Sequence, residues 1–268
     1  MNKLKTLGII PVRLESSRLP NKPLKDIFGK SLVQRVWEQA KKCQALSELV
    51  IATNSDEIKN HCTSFGASVV MTSSKHETGT DRVAEAAQIV ESQGTPFQIV
   101  ANIQGDLPFI NPQIIDSTIE NLINAASTFG MATIGTPITD REEFERPASV
   151  KIAIGENQLA LYFSRSPIPY WRNFPDDQKI NEANPYGYKH MGLYVFKREV
   201  LNQLSTLKSS FTEQRERLEQ LRALSNGIKI SVNIIPRKLV EPSIEVDTPE
   251  DLLKAVMYAQ SIQDTLKL

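Results

Sequence analysis

Three cationic side chains follow the first apolar segment of the chain. Arg13, Arg18 and Lys22 come after Thr6–Val12, an apolar, β-branched run that predicts a buried strand. Guanidinium and ammonium groups at the carboxyl end of a strand can hold a triphosphate through charge-assisted hydrogen bonds. The alternative is a solvated basic loop. The prolines within Pro20–Pro23 favour a binding site, because they stiffen the loop and reduce the entropy lost when it orders around a ligand. No Walker A or GxGxxG motif is present, which argues against P-loop and dinucleotide-binding classes.

Two aspartates are candidates for a metal site. Asp106 follows Gln98–Ile103, which is predicted to be a strand, and Asp247 follows the strand-like Ile244–Val246. Carboxylate oxygens suit Mg²⁺, which proteins usually bind with one or two carboxylates plus substrate phosphates. Each residue also has an ordinary structural role open to it. Asp106 could form a turn, and Asp247 could simply precede a helix start at Thr248.

Polar residues in the second half of the chain are candidates for substrate contacts. His190 lies at the polar start of an apolar segment, where it could bind a substrate hydroxyl or carboxylate or have only a structural role. Glu219 and Gln220 fall within a predicted helix and could equally be exposed helix formers. The histidines show no metal-ligand spacing, which argues against zinc.

The first half of the chain alternates predicted strands and helices. Four strand-then-helix units predict an α/β fold with a mostly parallel sheet and right-handed crossovers, flanked by helices. Ligands bind at the carboxyl ends of the strands in such sheets. The predicted strands are Thr6–Val12, Glu48–Thr53, Ala67–Met71 and Gln98–Ile103, and the predicted helices are Ser31–Leu46, Ser55–Phe65, Thr80–Ser92 and Pro112–Ser127.

The second half has more predicted strands and no long helix among them. A proline-containing loop is predicted at Ser166–Tyr188. We interpret the whole as one sheet with an inserted β-rich lobe. The further predicted strands are Met131–Thr136, Val150–Ile154, Gln158–Phe163, Gly192–Phe196 and Lys229–Ile235, and the further helices are Thr212–Asn226 and Thr248–Gln260.

Composition narrows the class of protein. The 268 residues carry 31 Lys plus Arg and 31 Asp plus Glu, so no overall field attracts nucleic acid or a membrane. Cys43 and Cys62 have no metal or redox spacing, which indicates a reducing compartment. No apolar run reaches the length of a membrane span. We therefore expect a cytoplasmic protein with neither nucleic acid nor membrane as a partner.

Eight segments, taken in order, resemble the 3-deoxy-manno-octulosonate cytidylyltransferase (CMP-Kdo synthetase) family. They are IIPVRLESSRLPNKPL, ATNSDE, HETGTDR, NIQGDLP, ALYFSRSPIP, YKHMGLYVF, LEQLRAL and VDTPEDL. The resemblance implies a single cytidylyltransferase domain over residues 1–268, with a nucleotide-binding part at about 1–130 and 206–268. It also implies a β-rich dimerisation lobe at about 130–205, and hence a homodimer.

The resemblance also implies a reaction and a set of site residues. CTP and the acidic eight-carbon sugar 3-deoxy-D-manno-octulosonate (Kdo) would give CMP-Kdo and pyrophosphate, a step toward lipopolysaccharide. Arg13 and Lys22 match the triphosphate-binding positions, and Asp106 and Asp247 match the Mg²⁺ ligands. The other implied substrate-binding residues are Arg18, Arg82, Gln104, Arg165, His190, Tyr194, Glu219 and Gln220.

Two departures from the family pattern keep alternatives open. Leu107 replaces the glutamate of the usual QGDEP motif, and Asn54 stands where an aspartate is common. The closest alternative is a cytidylyltransferase for the 8-amino analogue of Kdo or another acidic sugar. A more distant alternative is a non-catalytic nucleotide-binding relative, against which the presence of Lys22, Asp106 and Asp247 argues.

Overall fold

The computed structural model describes residues 4–76, 78–94, 96–174 and 177–265. Glu77 of the HETGTDR motif and Pro175 of the predicted loop lie outside these residues. The chain divides into two compact units. The first comprises Met1–Phe97, Asn102–Gln113 and Glu241–Leu268, and the second comprises Gln98–Ala101 and Ile114–Val240.

The predicted α/β fold is confirmed. The strands in the described residues are β1 Thr6–Pro11, β2 Glu48–Thr53, β3 Ser68–Met71, β4 Ile99–Asn102, β5 Phe129–Ile138, β6 Lys151–Ile154, β7 Ala160–Ser164, β8 Gly187–Lys197 and β9 Lys229–Ile234. The helices there are α1 Leu32–Ala40, α2 Asp56–Ser64, α3 Gly79–Ser92, α4 Pro112–Asn124, α5 Arg141–Glu145, α6 Arg198–Thr206, α7 Phe211–Glu216, α8 Gln220–Ser225, α9 Arg237–Val240 and α10 Pro249–Thr265.

The first unit contains a parallel three-stranded segment in the order β3-β2-β1. Its core forms because the strands are apolar: Leu7, Ile9 and Ile10 of β1 are fully buried. Three helices begin where a hydroxyl side chain accepts a hydrogen bond from a first-turn N–H, as helix caps do. The capping residues are Ser31, Ser55 and Thr78. These caps fix where each chain segment turns away from the sheet.

The second unit is built around β5, which is buried along its whole length. This strand pairs antiparallel with β8 and parallel with β9. Strands β6 and β7 pair with each other, and β6 also pairs with β8. The predicted β-rich lobe of about 130–205 falls inside this unit, and its role in dimerisation stays a prediction.

Some sequence predictions of helices are wrong in detail. The predicted helix Thr212–Asn226 is two helices, α7 and α8, because Arg217 adopts a left-handed backbone conformation (φ 54°) that ends the first. The predicted helix Ser31–Leu46 ends at Ala40, and α6 was not anticipated. Among the described residues, no helix has the length and apolar character needed to cross a bilayer.

Candidate active site

The turn after β1 carries the cations predicted from sequence. Val12 continues the strand direction, because its N–H donates to the Ala52 carbonyl at 2.8 Å. The turn is anchored by Leu19 and Pro23, both buried. Pro23 lies in a short 3₁₀ turn that begins at Lys22, and this fixes where the lysine stem leaves the backbone.

The Asp106 turn lies beside the end of β1. Ile103 N–H donates to the Ile9 carbonyl at 2.9 Å, so this segment runs alongside β1. A Cβ at Gly105 would stand 3.2 Å from the Pro11 carbonyl oxygen, so a side chain there would push the two segments apart. Glycine thus allows the close approach that brings Asp106 to the turn after β1.

Asp247 is positioned by the start of α10. Thr248 and Asp251 form a reciprocal cap, in which the Asp251 carboxylate accepts from the Thr248 N–H at 3.1 Å and from the Asp247 N–H at 3.3 Å. Burial opposes ionisation of Asp251, but these hydrogen bonds outweigh it and lower its pKa. The main chain of Asp247 is therefore held while its side chain points to other partners.

Lys22 connects the two candidate metal carboxylates. Its ammonium lies 3.0 Å from Asp106 Oδ2 and 2.8 Å from Asp247 Oδ1. Arg18 donates to the other oxygen of Asp247, at 2.9 Å. Burial of Lys22 disfavours its charge, but the two aspartates outweigh that effect and raise its pKa. Residues that are 84 and 225 positions apart in sequence thus form one charged cluster.

The start of α3 contributes a further cation, Arg82, to the site. Arg82 is buried, and its Nη1 donates to Thr72 Oγ1 at 2.6 Å, which fixes the guanidinium. Burial and the nearby charge of Arg13 lower the pKa of Arg82, while leaving it a cation at neutral pH. His76 is held by a 2.5 Å hydrogen bond to Glu85. The Arg82 guanidinium therefore supplies a positive charge to this side of the site although the residue is almost fully buried.

These groups surround one pocket of about 340 Å³ in the first unit. Cations and carboxylates share it, and the capping residue Thr78 and the first residue of α3, Gly79, also line it. A helix N-terminus favours bound anions. The structure therefore brings together seven of the residues predicted from sequence: Arg13, Arg18, Lys22, Arg82, Gln104, Asp106 and Asp247.

Arg165, in the second unit, is held by the end of α7. Its Nε donates to the Glu216 carbonyl oxygen at 2.8 Å, and its Nη1 donates to the Pro147 carbonyl oxygen at 3.3 Å. The Glu216 carboxylate in turn accepts from the Arg165 N–H and from the Ser164 hydroxyl. The guanidinium therefore has a fixed orientation.

Tyr194, Gln220 and His190 form a second polar group in that unit. The Tyr194 hydroxyl donates to Gln220 Oε1 at 2.9 Å, and the Gln220 Nε2 is buried with no hydrogen-bond partner among the described residues. The His190 ring lies 5.4 Å from the Tyr194 ring, and its Nε2 is 2.9 Å from Thr133 Oγ1. Burial lowers the pKa of His190 to about 3, so the imidazole is neutral at pH 7. Glu219 is half-buried at the N-cap position of α8.

Comparisons with known proteins identify the family of the chain. A cytidylyltransferase family model matches residues 7–230. The chain is similar to the 3-deoxy-manno-octulosonate cytidylyltransferases of Parabacteroides distasonis (42% identical, 95% of this chain and 98% of the relative) and Geobacter sulfurreducens (41%, 93% and 97%). A solved CMP:2-keto-3-deoxy-manno-octonic acid synthetase complexed with CTP is 36% identical, with a TM-score of 0.84 over 96% of this chain and 99% of that one. The chain belongs to the 3-deoxy-manno-octulosonate cytidylyltransferase family.

Leu107, which stands where the family usually has a glutamate, is not among the residues that line the pocket. Leu107 is buried, 8% exposed, so its side chain contributes to the core. A third carboxylate, Glu245, comes close to the pair from another direction. One oxygen each of Asp106, Glu245 and Asp247 lie within 4.8 Å of one another. A carboxylate is thus present near the candidate metal ligands despite Leu107.

Sequence reasoning about this family member missed Glu245 and Glu85. Glu245 lies two residues before Asp247 in a segment that looks strand-like in sequence, so alternation of side chains was the available signal. Glu85 lies three residues after Arg82 on α3, on the same helix face. The other departure, Asn54, is not among the residues that line the pocket.

Proposed function

We propose that the protein transfers a cytidylyl group from CTP to Kdo and releases pyrophosphate. The observation that carries the proposal is the pocket in which Lys22 lies between Asp106 and Asp247, with three arginines around it. Such a site offers cations for a polyphosphate and carboxylates for a metal. The names of the similar proteins supply the choice of nucleotide and sugar.

The triphosphate would be bound by the cations of the pocket. Arg82 is fixed by Thr72 and provides a charge that need not be ordered on binding. Arg13 and Arg18 are exposed and can close on the phosphates from the turn after β1. Charge-assisted hydrogen bonds from such groups stabilise the charge on the leaving pyrophosphate.

The carboxylates of the pocket fit Mg²⁺. Three carboxylates lie close together, and hard oxygen donors are those this ion prefers. A cation already lies between two of them, namely the Lys22 ammonium, which shows that the local field favours positive charge. We expect Asp106 and Asp247 to hold the ion, with Glu245 beside them. Bound there, Mg²⁺ would neutralise charge on the phosphates of CTP.

The reaction needs no covalent enzyme intermediate. The anomeric hydroxyl oxygen of the sugar forms a bond to the α-phosphorus as the bond from that phosphorus to the β-phosphate oxygen breaks, the hydroxyl proton passes to solvent water, and pyrophosphate leaves. The contribution of the protein is to position the reactants and stabilise charge. Lys22 and the arginines bind the phosphates throughout, and no side chain needs to act as a nucleophile.

The second unit offers groups that suit an acidic sugar. The planar fork of Arg165 can bind both oxygens of a carboxylate. Gln220 presents a buried Nε2 donor whose orientation is set by Tyr194. An unsatisfied buried donor costs free energy unless a ligand accepts from it, so a sugar hydroxyl would be favoured there. His190 and Glu219 can bind further hydroxyls.

Glu219 keeps the 8-amino analogue of Kdo as a second candidate substrate. A protonated amine near this carboxylate would gain a charge-assisted bond that a hydroxyl cannot match. The test is to incubate the protein with CTP, Mg²⁺ and a panel of 2-keto-3-deoxy sugars and to measure pyrophosphate release. Kdo should give the highest kcat/KM. A tenfold or greater preference for the amine, about 1.4 kcal/mol, would reverse the assignment.

The enzyme would act in the cytoplasm, where CTP is available, and its product would serve lipopolysaccharide synthesis. It would be a homodimer joined through the β-rich lobe. Apolar side chains are exposed in that segment, namely Leu161, Tyr162, Tyr170 and Phe174. A symmetric interface would cover them in both subunits.

A further inference from the structure

Lys22 shares its two partners with the proposed metal site. Its ammonium lies 3.0 Å from Asp106 and 2.8 Å from Asp247, and its side chain is only 17% exposed. A partly buried ammonium needs its hydrogen bonds because water is largely excluded from it. The two carboxylates therefore satisfy the lysine, and they are the groups expected to bind Mg²⁺.

The lysine and a divalent cation compete for these carboxylates. Each carboxylate has a limited number of lone pairs, and one oxygen of each is used by Lys22. A metal ion bound to both carboxylates would also lie close to the ammonium, and like charges at such separations repel strongly. Bringing in the metal therefore requires Lys22 to move to another anionic partner.

The triphosphate of the nucleotide provides that partner. Lys22 lines the same pocket as Arg13, Arg18 and Arg82, so phosphate oxygens placed among these cations would be within reach of a flexible lysine stem. Transfer of Lys22 from the carboxylates to the phosphates would free the carboxylates and keep the ammonium paired. The phosphates would also supply metal ligands of their own.

We propose that Lys22 excludes the metal from the Asp106–Asp247 pair until a nucleotide triphosphate draws the lysine away, so that metal and nucleotide bind as a linked pair. The inference rests on the proposed function, because it assumes that this pair is the metal site. It assigns Lys22 two successive sets of partners. By linkage, each ligand raises the affinity for the other by the same factor.

The test measures binding of Mn²⁺ in the absence of nucleotide, by electron paramagnetic resonance of the free ion. Lys22→Met keeps the length of the stem and removes the ammonium. We expect this variant to bind Mn²⁺ at least about tenfold more tightly than wild type, although the same change should weaken CTP binding. Lys22→Gln is the second variant if the methionine variant does not fold. Unchanged or weaker Mn²⁺ binding in the folded variant would overturn the inference.

The matched control is Lys30→Met, which removes an ammonium paired with Glu38 in the same unit. It should leave Mn²⁺ affinity unchanged, and an equal gain in both variants would also overturn the inference. Failure of the proposed function is distinguished by treating the wild-type reaction with a chelator. If turnover needs the metal but Lys22→Met gains no affinity, only the inference has failed. If turnover survives chelation, the metal site itself is wrong.

Discussion

The main-chain carbonyl oxygen of Asp106 accepts a hydrogen bond from the Val246 N–H at 3.0 Å. This bond joins the turn after β4 to the segment before α10, and each of these carries one of the candidate metal carboxylates. Val246 is fully buried, so the bond is shielded from water. The spacing of Asp106 and Asp247 is thus fixed by the backbone, so Lys22 contacts a preformed pair of carboxylates.

Replacing Asp106 tests the metal site. Asp106→Asn keeps the shape of the side chain and removes the charge, so we expect turnover to fall at least about a hundredfold, as when one charge-stabilising group is lost from an active site. Asp247→Asn should behave similarly, whereas Glu245→Gln should have a smaller, several-fold effect because Glu245 is exposed. Asp56→Asn, at an exposed position of α2, is the control. Turnover near wild type in either aspartate variant would remove the assignment.

Removing one hydroxyl tests the sugar site. Tyr194→Phe leaves the packing in place but frees the Gln220 amide from its 2.9 Å hydrogen bond. A neutral hydrogen bond contributes about 0.5–1.5 kcal/mol, so KM for Kdo should rise roughly two- to tenfold while KM for CTP stays constant. Tyr258→Phe, which alters a ring packed on Phe109, is the control. A rise in KM for CTP alone would place Tyr194 outside the sugar site.

The lowered pKa of His190 predicts that the stability of the fold depends on pH. Its pKa is about 3 in the folded protein, compared with about 6.5 in an unfolded chain. Between these values only the unfolded chain takes up the proton, so the contribution is complete above about pH 6.5 and falls as the pH drops toward 3. At pH 5 this lowers the free energy of unfolding by about 2 kcal/mol. Urea unfolding at pH 7 and pH 5 should show this extra loss in wild type but not in His190→Gln. Equal losses would contradict it.

Assembly provides a further test. Sedimentation at micromolar concentration should give twice the chain mass of 30.0 kDa. Leu161→Ser, within the exposed apolar set of the predicted lobe, should weaken the dimer, whereas Phe211→Ser, at an exposed site outside it, should not. A monomer mass for the wild-type protein would contradict the proposed homodimer.

Much of the fold could be predicted because β-branched apolar runs coincide with strands. The bounds of β2 match the prediction, and those of β1 differ by one residue. Strand β8 is five residues longer at its start than predicted, because its polar beginning, Gly187–Met191, pairs with β5 without a continuous apolar pattern. The end of α7 at Arg217 could not be predicted, because nothing in an arginine indicates a left-handed backbone conformation.

Most individual residues of the candidate site could be predicted from the sequence, but the ion pairs between them could not. Arg13, Lys22 and Asp106 could be found because each follows a predicted strand. The ion pairs of Lys22 join positions far apart in sequence, and no local pattern specifies them. Glu245 was missed because an exposed glutamate ordinarily has only a solubilising role.

Identifying the reaction product tests the proposed cytidylyl transfer most directly. Purified protein should be incubated with CTP, Kdo and Mg²⁺, with CMP-Kdo identified by mass spectrometry and pyrophosphate measured in parallel. We expect the two products in equal amounts, with formation greatly reduced for Asp106→Asn under the same conditions. Pyrophosphate without CMP-Kdo, or CMP-Kdo formed equally well by Asp106→Asn, would contradict it.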